Sequence, residues 1–401
     1  MAGNKVIAIV GAGIGGIAAG IALYRAGFTV RIFERAGQLA EAGTGISLWH
    51  NGTGILNELG VLPEILKHGQ IGTNFLLRTQ SGKLLMNIST SEADTPTVCV
   101  HRADLLRVLA AALPPECFCL GHELAGLEIT GHKASLQFKN QNSFICDGVV
   151  GADGVHSRLR AMLAKRREPA HRGYVIFRGL ADAPTGLPPG CNGETWGAGH
   201  RFGMLAIGKN LGHNVGKNLG RNKICWYATA NTSGLNRPSA GRKEWLQDVF
   251  KAWHDPIPQL LATTDPAAIL VTNARDLKPA RQLSSGPVTL LGDAAHALTP
   301  NLGQGACVAL EDALVLARCL SCQSDVSSGF RRYESLRFPH VRSAVLRSRW
   351  LGHVGQWESP IAVFLRNLVT RRLPARLFEC HSTFAEHMAA LTGRTLKEVA
   401  A

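Results

Sequence analysis

The chain has 401 residues, which is long enough to form two or three domains with sizeable hydrophobic cores. Hydrophobic residues make up 45% of it and charged residues 18%, a composition that is typical of a folded globular protein and excludes a disordered one. The formal net charge of +14 indicates a preference for anionic cofactors and substrates. It does not predict nucleic-acid binding, because the basic residues form no stripe interleaved with aromatic residues.

The first predicted elements are a strand, a helix and a second strand. Residues 6–10 form an apolar run typical of a strand buried on both faces, a helix is expected over 14–26, and a strand over 28–34. Gly11-Ala12-Gly13-Ile14-Gly15-Gly16 lies between the first strand and the helix and satisfies the GxGxxG pattern. This arrangement predicts a βαβ unit that binds a dinucleotide.

The spacing of the glycines gives each a physical role at a pyrophosphate. Gly11 permits a tight turn, Gly13 lets the phosphates approach the backbone, and Gly16 lets the helix pack on the strand. The helix N-terminus offers unpaired N–H groups to the phosphates. Glu34 ends the second strand, where a carboxylate can accept hydrogen bonds from ribose hydroxyls and would repel a 2′-phosphate. The tightly bound nucleotide is therefore expected to be FAD or NAD rather than NADP.

The middle and the end of the chain predict a different organisation. Short strands and Pro/Gly turns dominate residues 171–284, and a long helix is expected over 305–320. Residues from Gly329 onward are expected to be helical, with breaks at prolines 339, 360 and 374. We predict an FAD-binding domain of residues 1–73, 97–170 and 285–350, a substrate-binding β-sheet domain of 74–96 and 171–284, and a C-terminal helical segment of 351–401. A short tandem repeat, residues 208–223, is expected to be a duplicated hairpin tip.

Two further motifs follow predicted strands. In the segment 151–160, Asp153 lies in an Asp-Gly pair that opens a helix, although Asp153 and Ser157 would equally suit simple helix caps. The segment 291–305 is more specific. Asp293 directly follows a buried strand and can receive polyol hydroxyls, and the turn 300–305 brings bare backbone against a flat ligand. The dipole of the next helix favours negative charge there, as on a reduced flavin.

In this order and spacing, the three motifs resemble those of the group A flavoprotein monooxygenases, which share the fold of para-hydroxybenzoate hydroxylase. The stretches 101–105, 194–197, 226–227 and 311–313 are most similar to the branch of salicylate hydroxylase, urate hydroxylase and zeaxanthin epoxidase. The resemblance implies an α/β fold, in which a Rossmann-like FAD-binding domain is interleaved with a β-rich substrate domain and followed by C-terminal helices.

The resemblance also implies an FAD site. Gly11, Gly13 and Gly16 would hold the pyrophosphate, and Glu34 the adenosine ribose. Arg102 would hold a phosphate or ribityl oxygen, unless it is only a surface helix cap. Asp153 would serve both FAD and NAD(P)H. The full predicted cofactor set is Gly11, Gly13, Gly15, Gly16, Glu34, Arg35, Gly45, Ile46, Arg102, Asp153, Asp293, Pro300, Gly303, Gln304, Gly305 and Ala306.

The family implies that NADPH or NADH binds transiently and reduces tightly bound FAD, after which O2 forms a flavin C4a-hydroperoxide. That species would transfer one oxygen atom to a small, electron-rich aromatic substrate. A cation or base should favour the phenolate form. Arg178, Tyr227 and Pro300 are the predicted catalytic residues, with His200 and Arg201 as further candidates. The alternatives are a flavin-dependent epoxidase of a polyene or prenyl chain and a non-catalytic FAD-binding module.

The sequence also gives expectations about metal binding, location in the cell, oligomeric state and membrane contact. The ten cysteines lack the paired spacing of a zinc site, so no metal is expected, and Cys319 and Cys322 form a lone CxxC. The predicted N-terminal strand leaves no room for a signal peptide, and we expect a cytoplasmic monomer or homodimer. The basic segment 361–376 has apolar neighbours and could contact a membrane, but packing against the FAD-binding lobe is favoured.

Overall fold

The computed structural model describes residues 5–39, 44–90, 95–163, 168–187, 190–208, 223–233 and 241–374. Most of the tandem repeat (209–222) and the last residues (375–401) lie outside this part of the chain. The strands are β1 (Val6–Val10), β2 (Thr29–Glu34), β3 (Gly45–Leu48), β4 (Gln70–Gly72), β5 (Asn74–Thr79), β6 (Leu84–Ser89), β7 (Thr97–His101), β8 (Phe118–Leu120), β9 (Leu124–Thr130), β10 (Lys133–Phe138), β11 (Ser143–Cys146), β12 (Gly148–Gly151), β13 (Ala170–Asp182), β14 (Cys191–Trp196), β15 (His200–Ala206), β16 (Lys223–Asn231), β17 (Leu270–Asp276) and β18 (Val288–Leu290).

Helices follow or connect these strands. They are α1 (Ile14–Arg25), α2 (His50–Glu58), α3 (Leu62–His68), α4 (Arg102–Ala111), α5 (Arg158–Leu163), α6 (Arg242–Phe250), α7 (Ile257–Thr263), α8 (Asp293–His296), α9 (Gly305–Ser321), α10 (Val326–Gly355) and α11 (Pro360–Thr370). None of the described helices is long and apolar enough to cross a bilayer.

The sheet that carries the predicted motifs is parallel. Its strand order is β18-β12-β1-β2-β8. The GxGxxG turn follows β1, Glu34 ends β2, the Asp-Gly pair follows β12, and Asp293 follows β18. All four therefore lie at the carboxyl-terminal edge of one sheet, the edge at which parallel α/β sheets bind ligands. The predicted α/β class with a Rossmann-like sheet is confirmed.

A second, larger sheet is mostly antiparallel, with the order β17-β13-β16-β15-β14-β5-β6. One face, with Phe177, Phe202 and Trp226, packs with α6 and α7 in a hydrophobic core. The side chains of Arg178 and Tyr227, which are neighbours in register, alternate to the other face. Smaller sheets, β3-β7-β4 and β11-β10-β9, complete the fold. The division into domains stays a prediction.

The expected helix break at Pro339 is wrong, because α10 continues through this residue to Gly355. A proline inside a helix typically costs about 3 kcal/mol. Here tertiary contacts on both sides of the proline offset that cost. Arg337 forms buried ion pairs with α9, and Val341 and Val345 pack in a cluster with Val308. The chain instead breaks between Gly355 and Pro360, which opens α11.

Candidate active site

The glycine turn after β1 is shaped as the sequence predicts. Gly11 has a φ of +107°, and a Cβ at this position would lie 2.4 Å from the Ala152 carbonyl oxygen. A Cβ at Gly16 would lie 2.0 Å from the Gly11 carbonyl oxygen, so helix α1 crosses β1 closely. Nothing lies within 4 Å of the Cβ position of Gly13, where a pyrophosphate is expected. Gly15, by contrast, packs against Leu291 and α9.

Glu34 is held in place by the backbone around this turn. Its Oε2 accepts a hydrogen bond from Ala12 N at 2.9 Å, and its Oε1 accepts one from Ala36 N at 3.0 Å. A cavity of about 360 Å³ opens beside the carboxylate, and Arg35 and Asp153 also line it. His122, Glu123 and Arg158 line the same cavity but were not predicted. His122 and Glu123 reach this edge because β8 pairs with β2, and no local pattern in the sequence shows that pairing. Arg158 lies in the segment 151–160, which the sequence did mark as a motif.

Asp153 caps a helix, which is one of the two roles that its sequence left open, and it also lines the cavity. Its Oδ2 caps α5 by accepting hydrogen bonds from Arg158 N (2.8 Å) and Leu159 N (3.1 Å). Its Oδ1 is buried and has no hydrogen-bond partner among the described residues. Since Asp153 also lines the cavity, Oδ1 is a ready acceptor for a ligand hydroxyl or amide. Ser157 is a helix cap, because its Oγ accepts a hydrogen bond from Arg160 N at 2.9 Å.

Asp293 and Arg102 lie close enough in the fold for their charges to interact. Asp293 is exposed, but the surrounding protein reduces the hydration of its carboxylate and raises its pKa, an effect that His296 and Arg102 oppose. Arg102 is the first residue of α4 and lies next to the Asp293 charge. It is not the helix cap, because His101 Nδ1 accepts the capping hydrogen bond from Ala103 N.

The turn 300–305 meets the start of α2, a segment that contributes no residue to the predicted cofactor set. Gly303 has a φ of +63°, and a Cβ there would lie 3.0 Å from the Trp49 indole Nε1. Asn51 Nδ2 donates hydrogen bonds to Gln304 Oε1 (2.9 Å) and Glu311 Oε1 (3.0 Å). Asn51 therefore fixes the orientation of the Gln304 amide.

Three buried polar atoms at this turn have no hydrogen-bond partner within the described part of the chain. They are Trp49 Nε1, Gln304 Nε2 and Asn51 Oδ1. Leaving buried donors and acceptors unpaired costs about 1–3 kcal/mol each, so the arrangement favours a polar ligand. Two donors and one acceptor fit an isoalloxazine ring, which offers carbonyl oxygens, ring nitrogens and an N–H group. The residues present thus fit FAD along the whole edge of the parallel sheet.

A buried ionic cluster supports this turn from behind. Arg337 donates to Asp312 Oδ1 at 2.6 Å and to Glu311 Oε2 at 2.9 Å. Asp312 Oδ2 also contacts His296 and accepts a hydrogen bond from Gly292 N, the residue before Asp293. Burial alone would raise the pKa values of both carboxyl groups, but the neighbouring cations hold them below their usual range. The cluster therefore connects α9, α10 and the Asp293 turn.

On the substrate sheet, Tyr227 lies between Arg178 and Gly203 in register. A Cβ at Gly203 would lie 2.0 Å from Tyr227 Cζ, so the phenol ring covers this glycine. Tyr227 Oη donates to Glu194 Oε2 at 2.7 Å. Burial and the Glu194 charge raise the pKa of Tyr227 well above its usual range. Tyr227 is therefore a neutral, anchored phenol and a poor general base.

Arg178 has no acidic partner among the described residues. The half-buried guanidinium donates to Thr272 Oγ1 at 2.8 Å, a neutral hydroxyl. Burial lowers the pKa of Arg178, and the like charge of Arg102 acts in the same direction. Cys225, two residues before Tyr227 on the same face, donates to the Gly45 carbonyl oxygen at 3.8 Å, so the face of the sheet that carries Arg178 lies against β3. A half-buried cation next to a second cation favours an anionic ligand.

The remaining catalytic candidates have other surroundings. Arg201 is buried and binds Glu194 (3.0 Å), Gln356 (2.8 Å) and Asn301 (2.7 Å), so it ties the substrate sheet to the turn 300–305. His200 lies on the opposite face, against Trp245 and Phe250. Pro300 is exposed at the start of the turn, where its ring can shape the backbone but cannot transfer a proton.

Gly203→Ala is expected to lower the free energy of unfolding by about 1–3 kcal/mol, because the added methyl group must displace the Tyr227 ring. Denaturant unfolding measures this cost. The same substitution in a Tyr227→Ala background should cost much less, because the space is then open. An equal cost in both backgrounds would contradict this packing.

Comparisons with known proteins agree with these features. A family model described as FAD binding domain matches residues 4–348. The aurachin C monooxygenase/isomerase of Stigmatella aurantiaca is 36% identical over 373 residues, which cover 92% of this chain and 94% of that protein. The chloroplastic zeaxanthin epoxidase of Solanum lycopersicum is 31% identical over 89% of this chain and 56% of its own length.

A solved structure is similar over almost the whole chain. Klebsiella pneumoniae HpxO, crystallised with FAD and uric acid, superposes with a TM-score of 0.82 at 25% identity. The superposition covers 94% of this chain and 96% of that one. The similarity therefore includes both the parallel sheet and the larger antiparallel sheet.

Proposed function

Because this chain belongs to the FAD binding domain family and is an FAD-dependent monooxygenase, we propose that it uses NADPH or NADH and O2 to insert one oxygen atom into an aromatic substrate bound as an oxyanion. The observation that carries the choice of substrate is the Arg178 guanidinium. It lies on the face of the substrate sheet that packs against β3, and it has a neutral hydroxyl, but no carboxylate, as a partner among the described residues. A phenolate or enolate oxygen of the substrate would complete its coordination.

The residues that would hold FAD lie along the parallel sheet. The glycine turn would bind the diphosphate, Glu34 the ribose, and Asp293 with Arg102 the ribityl chain. The turn 300–305 would hold the ring, together with Trp49 and Gln304. When bound, FAD accepts two electrons from NAD(P)H and activates O2 for transfer of one oxygen atom.

The substrate sheet would provide a positive charge, a flat contact for the substrate ring and an apolar cluster that limits the access of water. A guanidinium close to a phenol lowers the phenol's pKa, so Arg178 would keep the substrate in its more nucleophilic, anionic form. Tyr227, fixed by Glu194, would give the substrate ring a flat contact that does not titrate. Cys99, Ile207 and Cys225 form an apolar cluster between the sheets, which would limit the access of water.

Epoxidation of a polyene is the second candidate, and the similarity to a zeaxanthin epoxidase supports it. A hydrocarbon chain would leave the Arg178 charge uncompensated, which argues against this reading. A non-catalytic FAD-binding protein is disfavoured by the similarity to monooxygenases over nearly the entire chain.

The test is a screen of purified, flavin-loaded protein for substrate-stimulated NAD(P)H oxidation. Hydroxyarenes, their methyl ethers and polyenes should be compared, with hydrogen peroxide counted separately. We expect stimulated oxidation and a product heavier by one oxygen atom with hydroxyarenes, and little with the ethers. Turnover of polyenes alone would favour the epoxidase, and flavin binding without any stimulated oxidation would favour the non-catalytic protein.

Trp49→Phe tests the assignment of the indole N–H to the flavin ring. Phe keeps the aromatic contact with Phe75 but removes the donor. One net hydrogen bond is worth about 0.5–1.5 kcal/mol, so the FAD dissociation constant should rise about 2- to 12-fold in a fluorescence titration. If the donor favours reduced flavin tenfold, the two-electron potential should fall by about 30 mV.

The matched control is Trp253→Phe, because Trp253 is also buried but packs against Phe250 on the far side of the substrate sheet. It should leave both the FAD dissociation constant and the potential unchanged. If Trp49→Phe leaves FAD binding and potential unchanged but raises the KM for the aromatic substrate, the indole serves the substrate instead.

A further inference from the structure

Helix α11 exposes an unusually apolar surface. The exposed fractions are 73% for Ile361, 66% for Phe364, 50% for Leu365, 37% for Leu368 and 54% for Val369. These five side chains form what we call the α11 apolar face. Single exposed apolar residues are ordinary, but five on one helix of 11 residues indicate an interaction surface.

The orientation of α11 is fixed by its polar residues. Arg366 is only 3% exposed and donates to the carbonyl oxygens of Gly355 (3.2 Å) and Gly197 (3.1 Å). Its guanidinium also lies 5.2 Å from the centre of the Trp196 ring. Thr370, one turn later, is buried as well. The helix therefore turns its polar side inward and its apolar side outward.

This arrangement differs from the expected packing of the segment against the FAD-binding lobe. The contacts of Arg366 join α11 to the end of α10 and to β14 of the substrate sheet. Since an arginine anchors the helix, α11 can keep its orientation without burying its apolar side chains. The α11 apolar face is thus a stable part of the folded surface.

The charge around this face identifies the partner. Arg371 and Arg372 follow α11 directly and are exposed, and the whole chain carries a formal charge of +14. Basic residues that border an apolar helix face fit a surface with anionic headgroups above hydrocarbon. A second copy of this chain would bring the same positive charge to the contact, which opposes self-association.

We propose that the α11 apolar face docks on the surface of an anionic phospholipid bilayer. A helix of 11 residues is about 16 Å long, too short to span a bilayer, so it lies in the headgroup region with Arg371 and Arg372 at the phosphates. The contact places the substrate sheet, to which Arg366 fixes the helix, next to the lipid.

The test is sedimentation of the full-length, flavin-loaded protein with vesicles of phosphatidylcholine, with and without phosphatidylglycerol. We expect binding to the anionic vesicles that weakens as salt increases. Ile361→Ser with Phe364→Ser should reduce binding at least about tenfold through lost apolar contact. Arg371→Gln with Arg372→Gln should reduce it about 30-fold on anionic vesicles.

Matched controls separate this face from general surface effects. Ile145→Ser removes an apolar side chain that is 65% exposed on β11. Lys83→Gln with Lys278→Gln removes two exposed charges elsewhere. Both controls should bind as the parent does. Vesicle binding requires no turnover, so its outcome is independent of the proposed reaction.

Three results would overturn the proposal. The first is an absence of binding to anionic vesicles at low salt. The second is equal binding by the controls and the α11 variants. The third is a concentration-dependent dimer, seen by light scattering, that Ile361→Ser with Phe364→Ser abolishes, since a second copy would then cover the face.

Discussion

Arg178→Met is expected to lower kcat/KM for a hydroxyarene substrate by about 10- to 150-fold, because a hydrogen bond to a charged group contributes about 1.5–3 kcal/mol. Folding should be almost unaffected. Arg178 has no ion pair among the described residues, and its loss frees only the Thr272 hydroxyl. Steady-state kinetics and a thermal unfolding curve on the same preparation separate the two effects.

Three comparisons make the Arg178 result specific. With the methyl ether of the same substrate, which cannot become an anion, parent and variant should turn over equally slowly. Arg178→Lys should retain part of the activity, because the charge is kept and the planar geometry is lost. Arg275→Met, which removes an arginine of β17 that bonds the Pro169 carbonyl, is the matched control. A loss that is equal for phenol and ether would assign Arg178 a structural role.

Where the predicted site residues are close together in the sequence, the local pattern predicted their positions in the fold. The glycines of the first turn, Glu34 and Asp293 follow strands directly, so local pattern alone puts them at the carboxyl ends of strands. That these strands are neighbours in one parallel sheet follows from the βαβ rules for β1 and β2. For β12 and β18 it was implied by the resemblance to a family.

The parts that the sequence did not predict depend on contacts between distant segments. Asn51 orients the Gln304 amide across 253 positions of the chain, and no local pattern marks such a pair. Likewise, Arg201 was a candidate for substrate binding, but the structure surrounds it with Glu194, Gln356 and Asn301. Whether an arginine is free or paired depends on which segments meet, and only the folded chain decides this.

Proline and amphipathicity gave misleading local signals for the same reason. Pro339 disfavours a helix, yet α10 passes through it because Arg337 and the valines nearby pack against α9. The apolar residues of α11 predict an inward face, yet the Arg366 contacts turn that face outward. At Pro339 the tertiary contacts outweigh a local cost of about 3 kcal/mol, and in α11 the hydrogen bonds of Arg366 determine which side of the helix faces inward.

Arg337→Met is expected to cause the largest loss of stability. Glu311 and Asp312 are completely buried and share this guanidinium, so its removal leaves two buried carboxylates without the permanent positive charge that they share. Breaking a buried ion pair by removing one partner typically costs about 3–5 kcal/mol. We expect a drop of this size in the free energy of unfolding, measured with denaturant. Because Gly292 and Asn51 bond to the same carboxylates, FAD affinity should fall too.

The pH dependence of the Arg337→Met effect has a defined sign. In the parent, Asp312 and Glu311 have folded pKa values below their usual 3.8 and 4.5. Their contribution to stability is therefore present above those values and is lost as the pH falls through the lower, folded values. Without Arg337, the folded pKa values of both carboxyl groups should be higher than in the parent, so the stability lost through Arg337→Met should be greatest at neutral pH and should shrink as the pH falls through these values. His296 and His340, which face the same carboxylates, remain in both proteins.

Arg337→Met combined with Glu311→Gln and Asp312→Asn provides the decisive comparison. This triple variant keeps the shapes of the two acidic side chains and removes all three charges, so it should recover much of the lost stability. The difference in stability between the parent and this triple variant should follow the titration of Glu311 and Asp312 in the parent, because these two carboxyl groups are absent from the variant. Should the triple variant be as unstable as Arg337→Met alone, the loss would come from the packing of the arginine side chain rather than from its charge. The ionic cluster would then not be what supports the Asp293 turn.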